Sequence, residues 1–183
     1  MILIFTGNGQ GKTSAALGIA LRSLGWEKKV LVIQFIKGNK DIGEWEFARN
    51  YELGIKNQGK FKISQFFDDE KYSITEKEIT DIRSKEYKES CKKVWDFTKE
   101  VIEKKNYDLI ILDEIINAMH YNLINRKEVV EFLKKHSKPK LDIVLTGRNA
   151  GKKLIEIADV ATEMKEVKHG FKKGLKAKKG INY

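Results

Sequence analysis

The sequence has little cysteine, little proline and no long apolar run. Among its 183 residues there is one proline and one cysteine, Cys91. A single thiol can form neither an intramolecular disulfide nor a cysteine-based zinc cluster, which favours a reducing, cytoplasmic compartment. We expect Cys91 to be an ordinary helix or core thiol. The longest apolar stretches, around 30–36 and 109–112, are far shorter than the roughly 20 residues that span a bilayer, so we expect no membrane association.

Positive charge is in excess and is concentrated at the C-terminal end. The formal net charge is +10, and residues 165–183, here called the basic tail, hold seven lysines and one glutamate. More than half of the excess therefore lies in the tail. A lysine run of this kind attracts a polyphosphate, an acidic partner or RNA, and is most often simply a solvated surface. Charge alone therefore does not indicate a nucleic-acid partner.

Short β-branched runs alternate with longer segments of helical periodicity, which is the pattern of parallel strands joined by crossover helices. The length suits one domain. We therefore predict a single α/β domain over residues 1–183, with a mostly parallel sheet and helices on both faces. Strands are predicted at 2–6, 29–36, 61–66, 108–113, 141–146 and 160–164, and helices at 12–24, 75–104 and 126–135.

A glycine-rich segment, TGNGQGKT at positions 6–13, lies between the first predicted strand and the first predicted helix. Such a loop wraps a polyphosphate in backbone N–H groups at a helix N-terminus. Gly7, Gly9 and Gly11 permit the close backbone approach that this requires. The pattern predicts a P-loop NTPase-like fold, although Thr6 stands where the common pattern has glycine. The candidate nucleotide-binding residues are Asn8, Gly9, Gln10, Gly11, Lys12, Thr13 and Ser14.

Two acidic residues are placed to act with this loop. Lys12 supplies a mobile ammonium for phosphate oxygens, and the Thr13 hydroxyl is positioned to reach a bound Mg²⁺. Asp113 ends a predicted buried strand and Glu114 follows it. Because the carboxyl ends of parallel strands share one edge of the sheet, both carboxylates should emerge near the loop, where they can hold Mg²⁺ directly or through water. The sequence thus predicts binding of ATP and magnesium.

The reaction itself is not readable from these motifs, because a hydrolase needs a positioned water and a kinase needs an acceptor with a base. The sequence resembles the P-loop type of ATP:corrinoid adenosyltransferases, which act on cob(I)alamin and cob(I)yrinic acid a,c-diamide. The likeness spans nearly the whole chain. It is carried by TGNGQGKT at 6–13 with Ala15 and Ala16, VIQFIKG at 32–38 with Gly43 and Glu44, LDE at 112–114, and TGR at 146–148 with VKHGF at 167–171 and GLKAKKGI at 174–181.

The resemblance implies that Co(I) attacks the ribose 5′-carbon of ATP and that inorganic triphosphate leaves. No protein nucleophile is needed, so the enzyme aligns the two substrates and neutralises the leaving group. The implied catalytic residues are Lys12, Thr13, Glu114 and Arg148, and the implied magnesium ligands are Thr13, Asp113 and Glu114. Arg148 and His169 are expected near the phosphates or ribose, although a surface arginine and a structural histidine are comparably good interpretations.

The corrin ring is large, flat and mostly apolar, and the resemblance implies aromatic residues near its lower face that hold cobalt without an axial base. Phe66, Phe67 and Tyr72 are the candidates for this contact. Enterobacterial members have a phenylalanine and a tryptophan two residues apart here, whereas the residue two beyond Phe66 is Asp68. Phe67 or Tyr72 would then supply the second ring. The alternative is that the two phenylalanines belong to the core.

The resemblance also implies a homodimer and a reductant protein, such as a flavodoxin-like partner. Two other functions stay open. A small P-loop kinase or ATPase would share the loop and the carboxylates, but a kinase usually has an arginine-rich lid and this chain has only five arginines. Zinc-containing thymidine kinases need several cysteines. An ATP-dependent nucleic-acid-binding module would use the basic tail and bind with steep salt dependence. We expect the tail from Gly170 onward to form an ordered loop or lid.

Overall fold

The computed structural model describes residues 1–52, 60–66, 84–104, 106–136, 140–168 and 174–181. Strands and helices alternate along most of this length. The strands are β1 (Ile2–Thr6), β2 (Val30–Gln34), β3 (Phe61–Gln65), β4 (Leu109–Asp113), β5 (Asp142–Thr146) and β6 (Val160–Glu163). The helices are α1 (Lys12–Gly25), α2 (Gly43–Glu52), α3 (Ser84–Lys104), α4 (Ile115–His120), α5 (Arg126–His136) and α6 (Lys152–Glu156).

The six strands form one sheet in the order β3-β2-β4-β5-β1-β6. Every pairing among them is parallel. Parallel strands need crossover connections and are covered on both faces, and β2 and β4 are accordingly buried along their whole length. The predicted α/β class is therefore confirmed. All six strands end at the same edge, which is where the site described below is built.

Alternate residues of each strand point to opposite faces of the sheet, and the core is divided accordingly. On one face, Leu112 packs with Val94 of α3 and Leu133 of α5. On the other face, Ile111 packs with Ala16 and Ala20 of α1. The small alanines let α1 lie close to the sheet, which fixes the glycine-rich loop that precedes it. Helices thus cover both faces, as the sequence predicts.

The six predicted strands are all present; β1 is predicted with its observed bounds, β2 is predicted three residues too long, and the other four are each predicted one residue too long. Three helices were not predicted, namely α2, α4 and α6. α4 and α6 have six and five residues, which is too short for a helical period to show. Positions 75–83 of the long predicted helix lie outside the described residues. Within the described ranges, no helix combines the length and the apolar character that crossing a membrane requires.

Candidate active site

The glycine-rich loop joins β1 to α1, and left-handed backbone at two glycines shapes it. Gly7 has a φ of 100° and Gly11 a φ of 105°, values that favour glycine. A Cβ on Gly7 would lie 2.4 Å from the carbonyl oxygen of Met164, and a Cβ on Gly9 would lie 2.8 Å from the same oxygen. That carbonyl also accepts the Gly9 N–H at 2.7 Å. The segment after β6 therefore holds the loop in place.

Lys12 begins α1, and its ammonium lies within the loop. Its Nζ donates hydrogen bonds to the carbonyl oxygens of Gly7 at 2.8 Å and Gly9 at 2.7 Å. Burial lowers the pKa of Lys12; Arg148 adds to this effect, and Glu114 opposes it. A partly desolvated cation surrounded by loop backbone is well suited to pair with a phosphate oxygen.

Asp113, at the end of β4, is the centre of a buried polar network. Its Oδ1 accepts hydrogen bonds from the hydroxyls of Thr13 at 2.8 Å and Thr146 at 2.7 Å. Its Oδ2 accepts one from Lys37 Nζ at 2.7 Å and one from the Gln34 amide at 3.3 Å. Burial alone would raise the pKa of Asp113, but the Lys37 ammonium and the two hydroxyls lower it. The side chain is therefore a carboxylate at neutral pH.

Lys37 follows β2 and brings a second ammonium to the site. Its Nζ lies 3.4 Å from the Thr13 hydroxyl and 3.9 Å from the carboxylate of Glu44, in the first turn of α2. Burial alone would lower the pKa of Lys37, but the carboxylates of Asp113, Glu114 and Glu44 raise it. Lys37 is therefore charged, and its charge is compensated by carboxylates from two different elements.

Glu114 has a left-handed backbone, with φ of 62°. Its N–H donates to the Thr146 hydroxyl at 2.9 Å, and its carboxylate accepts a hydrogen bond from the Asn117 side-chain amide. Burial raises the pKa of Glu114, and the neighbouring negative charge of Asp113 raises it further. Positive φ at a non-glycine residue and a half-buried acid with a raised pKa are both features that concentrate at functional sites.

Asn117, in α4, connects Glu114 to the loop after β5. Its Oδ1 accepts the backbone N–H of Arg148 at 2.6 Å. Gly147 has a φ of 139°, and a Cβ there would lie 2.8 Å from the backbone nitrogen of Asn117. The Arg148 side chain is exposed, yet its charge contributes to the pKa values of both Lys12 and Glu114. Arg148 therefore lies close enough to add positive potential to the site.

A cavity of about 340 Å³ opens beside the N-terminus of α1. Its lining comes from the loop and α1, from the segments after β2 and β4, and from the end of the basic tail. The lining residues are Gln10, Gly11, Lys12, Thr13, Ser14, Leu17, Lys37, Gly43, Glu44, Glu114, Gly180 and Ile181. Beside them, Lys179 pairs with Asp41 at 3.1 Å. Residues 179–181 of the tail thus lie beside the glycine-rich loop and the start of α2.

The structure gathers most of the residues singled out from the sequence. Gln10 to Ser14 and Glu114 surround the cavity, and Asp113 lies fully buried behind Thr13. Asn8 is an exposed loop residue, while Gly9 is buried.

The predicted corrinoid contacts are described only in part. Phe66 directly follows β3 and packs against Phe97, with ring centroids 5.1 Å apart, at the side of the core. Phe67, Tyr72 and His169 lie outside the described residues, and their roles stay predictions.

Cys91 is buried in the core, where burial raises the pKa of its thiol to about 12.

Comparison with known proteins identifies the family. A family model for the ATP:corrinoid adenosyltransferases BtuR/CobO/CobP matches residues 1–183. The chain belongs to this family. A corrinoid adenosyltransferase of Sinorhizobium sp. is 36% identical over 183 residues, a match that covers 100% of this chain and 80% of that protein. One from Escherichia coli K12 is 34% identical over 100% of this chain and 85% of that protein.

A solved structure supports the fold alone. The flagellar accessory protein FlaH of Methanocaldococcus jannaschii matches with a TM-score of 0.51 and 14% sequence identity, over 88% of this chain and 69% of that chain. The resemblance to the ATP:corrinoid adenosyltransferases that the sequence motifs indicate is thus confirmed by the family match, and the P-loop NTPase-like fold by the structure.

Sequence reasoning assigned no role to Lys37, Glu44 or Asn117. Lys37 and Glu44 lie in segments that carry the resemblance to the adenosyltransferase family. Lys37 also follows a buried strand at the edge where the loop lies, and this signal was available in the sequence. Asn117 lies in a short helix that was not predicted, so no pattern marked it.

Proposed function

We propose that this protein transfers the 5′-deoxyadenosyl group of ATP to the Co(I) centre of a corrinoid and releases inorganic triphosphate. Membership of the family supports the reaction class. The observation that carries the proposal is the convergence of the glycine-rich loop, Lys12, Lys37 and Glu114 on one cavity beside a helix N-terminus. Such a cavity suits a polyanion, and triphosphate is the polyanion that this reaction must release.

The bonding changes need no protein nucleophile. The electron pair of Co(I) forms the cobalt–carbon bond at the ribose 5′-carbon, and the bond from that carbon to the triphosphate oxygen breaks. Both electrons of the broken bond leave with triphosphate, so cobalt is formally oxidised to Co(III). The protein's contribution is alignment of the two substrates and stabilisation of the charge on the leaving group.

The loop residues would bind the leaving group. The N–H groups of residues 8–13 and the Lys12 ammonium would contact phosphate oxygens, with the α1 dipole adding positive potential. Arg148 and His169 would add charge or hydrogen bonds at the phosphates or ribose. For Arg148 this role is supported by its influence on the pKa values of Lys12 and Glu114.

The donor set fits Mg²⁺. Thr13 and Glu114 both line the cavity and offer oxygen atoms, and magnesium is commonly held by one or two protein ligands together with substrate phosphates. Asp113 accepts hydrogen bonds at both oxygens, so it would act indirectly: it accepts the hydrogen bond of the Thr13 hydroxyl, and the lone pairs of that hydroxyl would face the ion. When bound, Mg²⁺ would neutralise part of the triphosphate charge.

The corrinoid would approach from the same edge of the sheet. Phe66, which directly follows β3, is a candidate for contact with the corrin, together with Phe67 and Tyr72. Reduction of cobalt to Co(I) requires an external reductant. A flavodoxin-like protein would supply the electrons. We also propose that the protein is a cytoplasmic homodimer and that its basic tail acts as a lid over the site. The natural substrate is either cob(I)yrinic acid a,c-diamide or cob(I)alamin.

The proposal is tested by mixing the protein anaerobically with chemically reduced cob(I)alamin and MgATP and following the visible spectrum. We expect loss of the Co(I) band and formation of a photolabile product. Lys12→Ala and Glu114→Ala should each slow the reaction by about 100-fold or more, which is typical when a charge-stabilising group is removed. Lys92→Ala and Glu131→Ala, at exposed helix positions, are matched controls that should react like the wild type. ATP cleavage to ADP without a spectral change would instead indicate a kinase or ATPase.

A further inference from the structure

Lys37 lies in the part of the site where the oxygens of Thr13 and Asp113 meet. Its Nζ is 2.7 Å from Asp113 Oδ2 and 3.4 Å from Thr13 Oγ1. Its third neighbour is the Glu44 carboxylate at 3.9 Å. The ammonium therefore contacts both a buried carboxylate and the hydroxyl at which the proposed function places a divalent cation.

We propose that Lys37 is a positioning residue that serves as the resident counter-cation of this site and makes the divalent cation bind together with the triphosphate rather than alone. In the nucleotide-free protein, its ammonium compensates Asp113 and repels a second cation from Thr13 and Glu114. The inference rests on the part of the proposed function that places the metal at those two residues.

The energetic reason lies in the burial of Asp113. Its side chain is 0% exposed, and a buried carboxylate that loses its partner is strongly destabilised. Lys37 supplies that partner through a short, charge-assisted hydrogen bond. A free divalent cation at Thr13 would lie next to this ammonium, in surroundings where like charges repel more strongly than in water. A triphosphate brings enough negative charge to offset both cations.

The exposure of Lys37 supports a role toward a ligand rather than a purely internal one. Its side chain is 29% exposed, and the residue lines the cavity. The ammonium can thus keep its hydrogen bond to Asp113 and present its remaining N–H groups to a phosphate oxygen.

The test measures Mn²⁺ binding by electron paramagnetic resonance, with nucleotide-free protein and no corrinoid. Wild-type protein should bind Mn²⁺ weakly alone and much more tightly when inorganic tripolyphosphate is present. Lys37→Met should bind Mn²⁺ alone about tenfold more tightly or better, because the cation then compensates the unpaired carboxylate. Lys37→Gln, which keeps a hydrogen-bond donor for Asp113, covers the case in which the methionine variant does not fold, and should show the same gain.

Two further variants serve as controls. Lys37→Arg keeps the charge and should resemble the wild type, as should Lys40→Met, which removes an exposed lysine three residues away. The proposal is overturned if neutral variants bind free Mn²⁺ no more tightly than the wild type, or if the wild type binds Mn²⁺ equally well with and without tripolyphosphate. Failure of Mn²⁺ to bind even with tripolyphosphate would instead contradict the metal site of the proposed function.

Discussion

At the level of single residues, Asn117 acts on two candidate catalytic groups at once. Its amide nitrogen donates a hydrogen bond to the Glu114 carboxylate, and its Oδ1 accepts one from the backbone N–H of Arg148 at 2.6 Å. One side chain thus orients a half-buried acid and fixes the course of the loop after β5. Side chains that hydrogen-bond a functional group commonly decide how well that group is aligned.

We therefore predict that Asn117→Ala lowers kcat for adenosyl transfer by about tenfold or more, the range found when orienting partners are removed. KM for ATP should change less, because the loop and Lys12 remain in place. Steady-state kinetics measure both quantities, and a thermal melt checks that the variant is folded. Asn50→Ala, at an exposed position of α2, is the control. An unchanged kcat for the Asn117 variant would contradict the assigned role.

Some residues of the site could be predicted from the sequence, whereas most of their hydrogen bonds could not. Lys12, Thr13, Asp113 and Glu114 could be predicted because a loop motif and a strand end mark them. The hydrogen bonds that Asp113 accepts from Thr146 and Lys37 could not, because those partners are separated from it by 33 and 76 residues along the chain. Only the order of the strands brings them together.

At the level of elements, β4 is the centre of both the core and the site. It is paired on one side with β2 and on the other with β5, and its last residue carries the central carboxylate. Its five residues are all buried, as continuous apolar runs in parallel sheets are. The strand could be predicted for that reason, whereas α4, which follows directly and is also apolar, could not be separated from it by periodicity.

Leu112→Ala should destabilise the protein by about 3 kcal/mol, within the range for buried leucines that leave a cavity. Leu112 is 0% exposed and packs against the helices on one face of the sheet. Leu21→Ala in α1 is the matched control: Leu21 is 67% exposed and its replacement should cost less than about 0.5 kcal/mol. Urea unfolding measures both values. Equal losses would contradict the assignment of β4 to the core.

At the scale of the whole molecule, distant parts of the chain meet at one cavity. The N-terminal loop, the segment after β2 and residues Gly180 and Ile181 of the basic tail all line it. Under the proposed function, the positive charge concentrated in that tail would favour the binding of a polyanionic substrate. The sequence indicated the charge but not its position relative to the loop.

Deletion of residues 174–183 should weaken binding of MgATP by about tenfold, a loss of about 1.4 kcal/mol. The tail residues 174–181 are exposed, so the melting temperature of the ligand-free protein should change little. Calorimetric titration with ATP and a thermal melt make the two measurements. Wild-type affinity in the truncated protein would show that the tail contributes nothing to nucleotide binding.

The proposed reaction requires ATP to act as an alkylating substrate whose leaving group is triphosphate. It is tested most directly by ³¹P NMR on a completed anaerobic reaction of wild-type protein with reduced corrinoid and MgATP, combined with a count of the photolabile cobalt–carbon product. We expect one inorganic triphosphate for each adenosylated corrinoid and no ADP. ADP with phosphate, or triphosphate formed without the cobalt–carbon product, would contradict it.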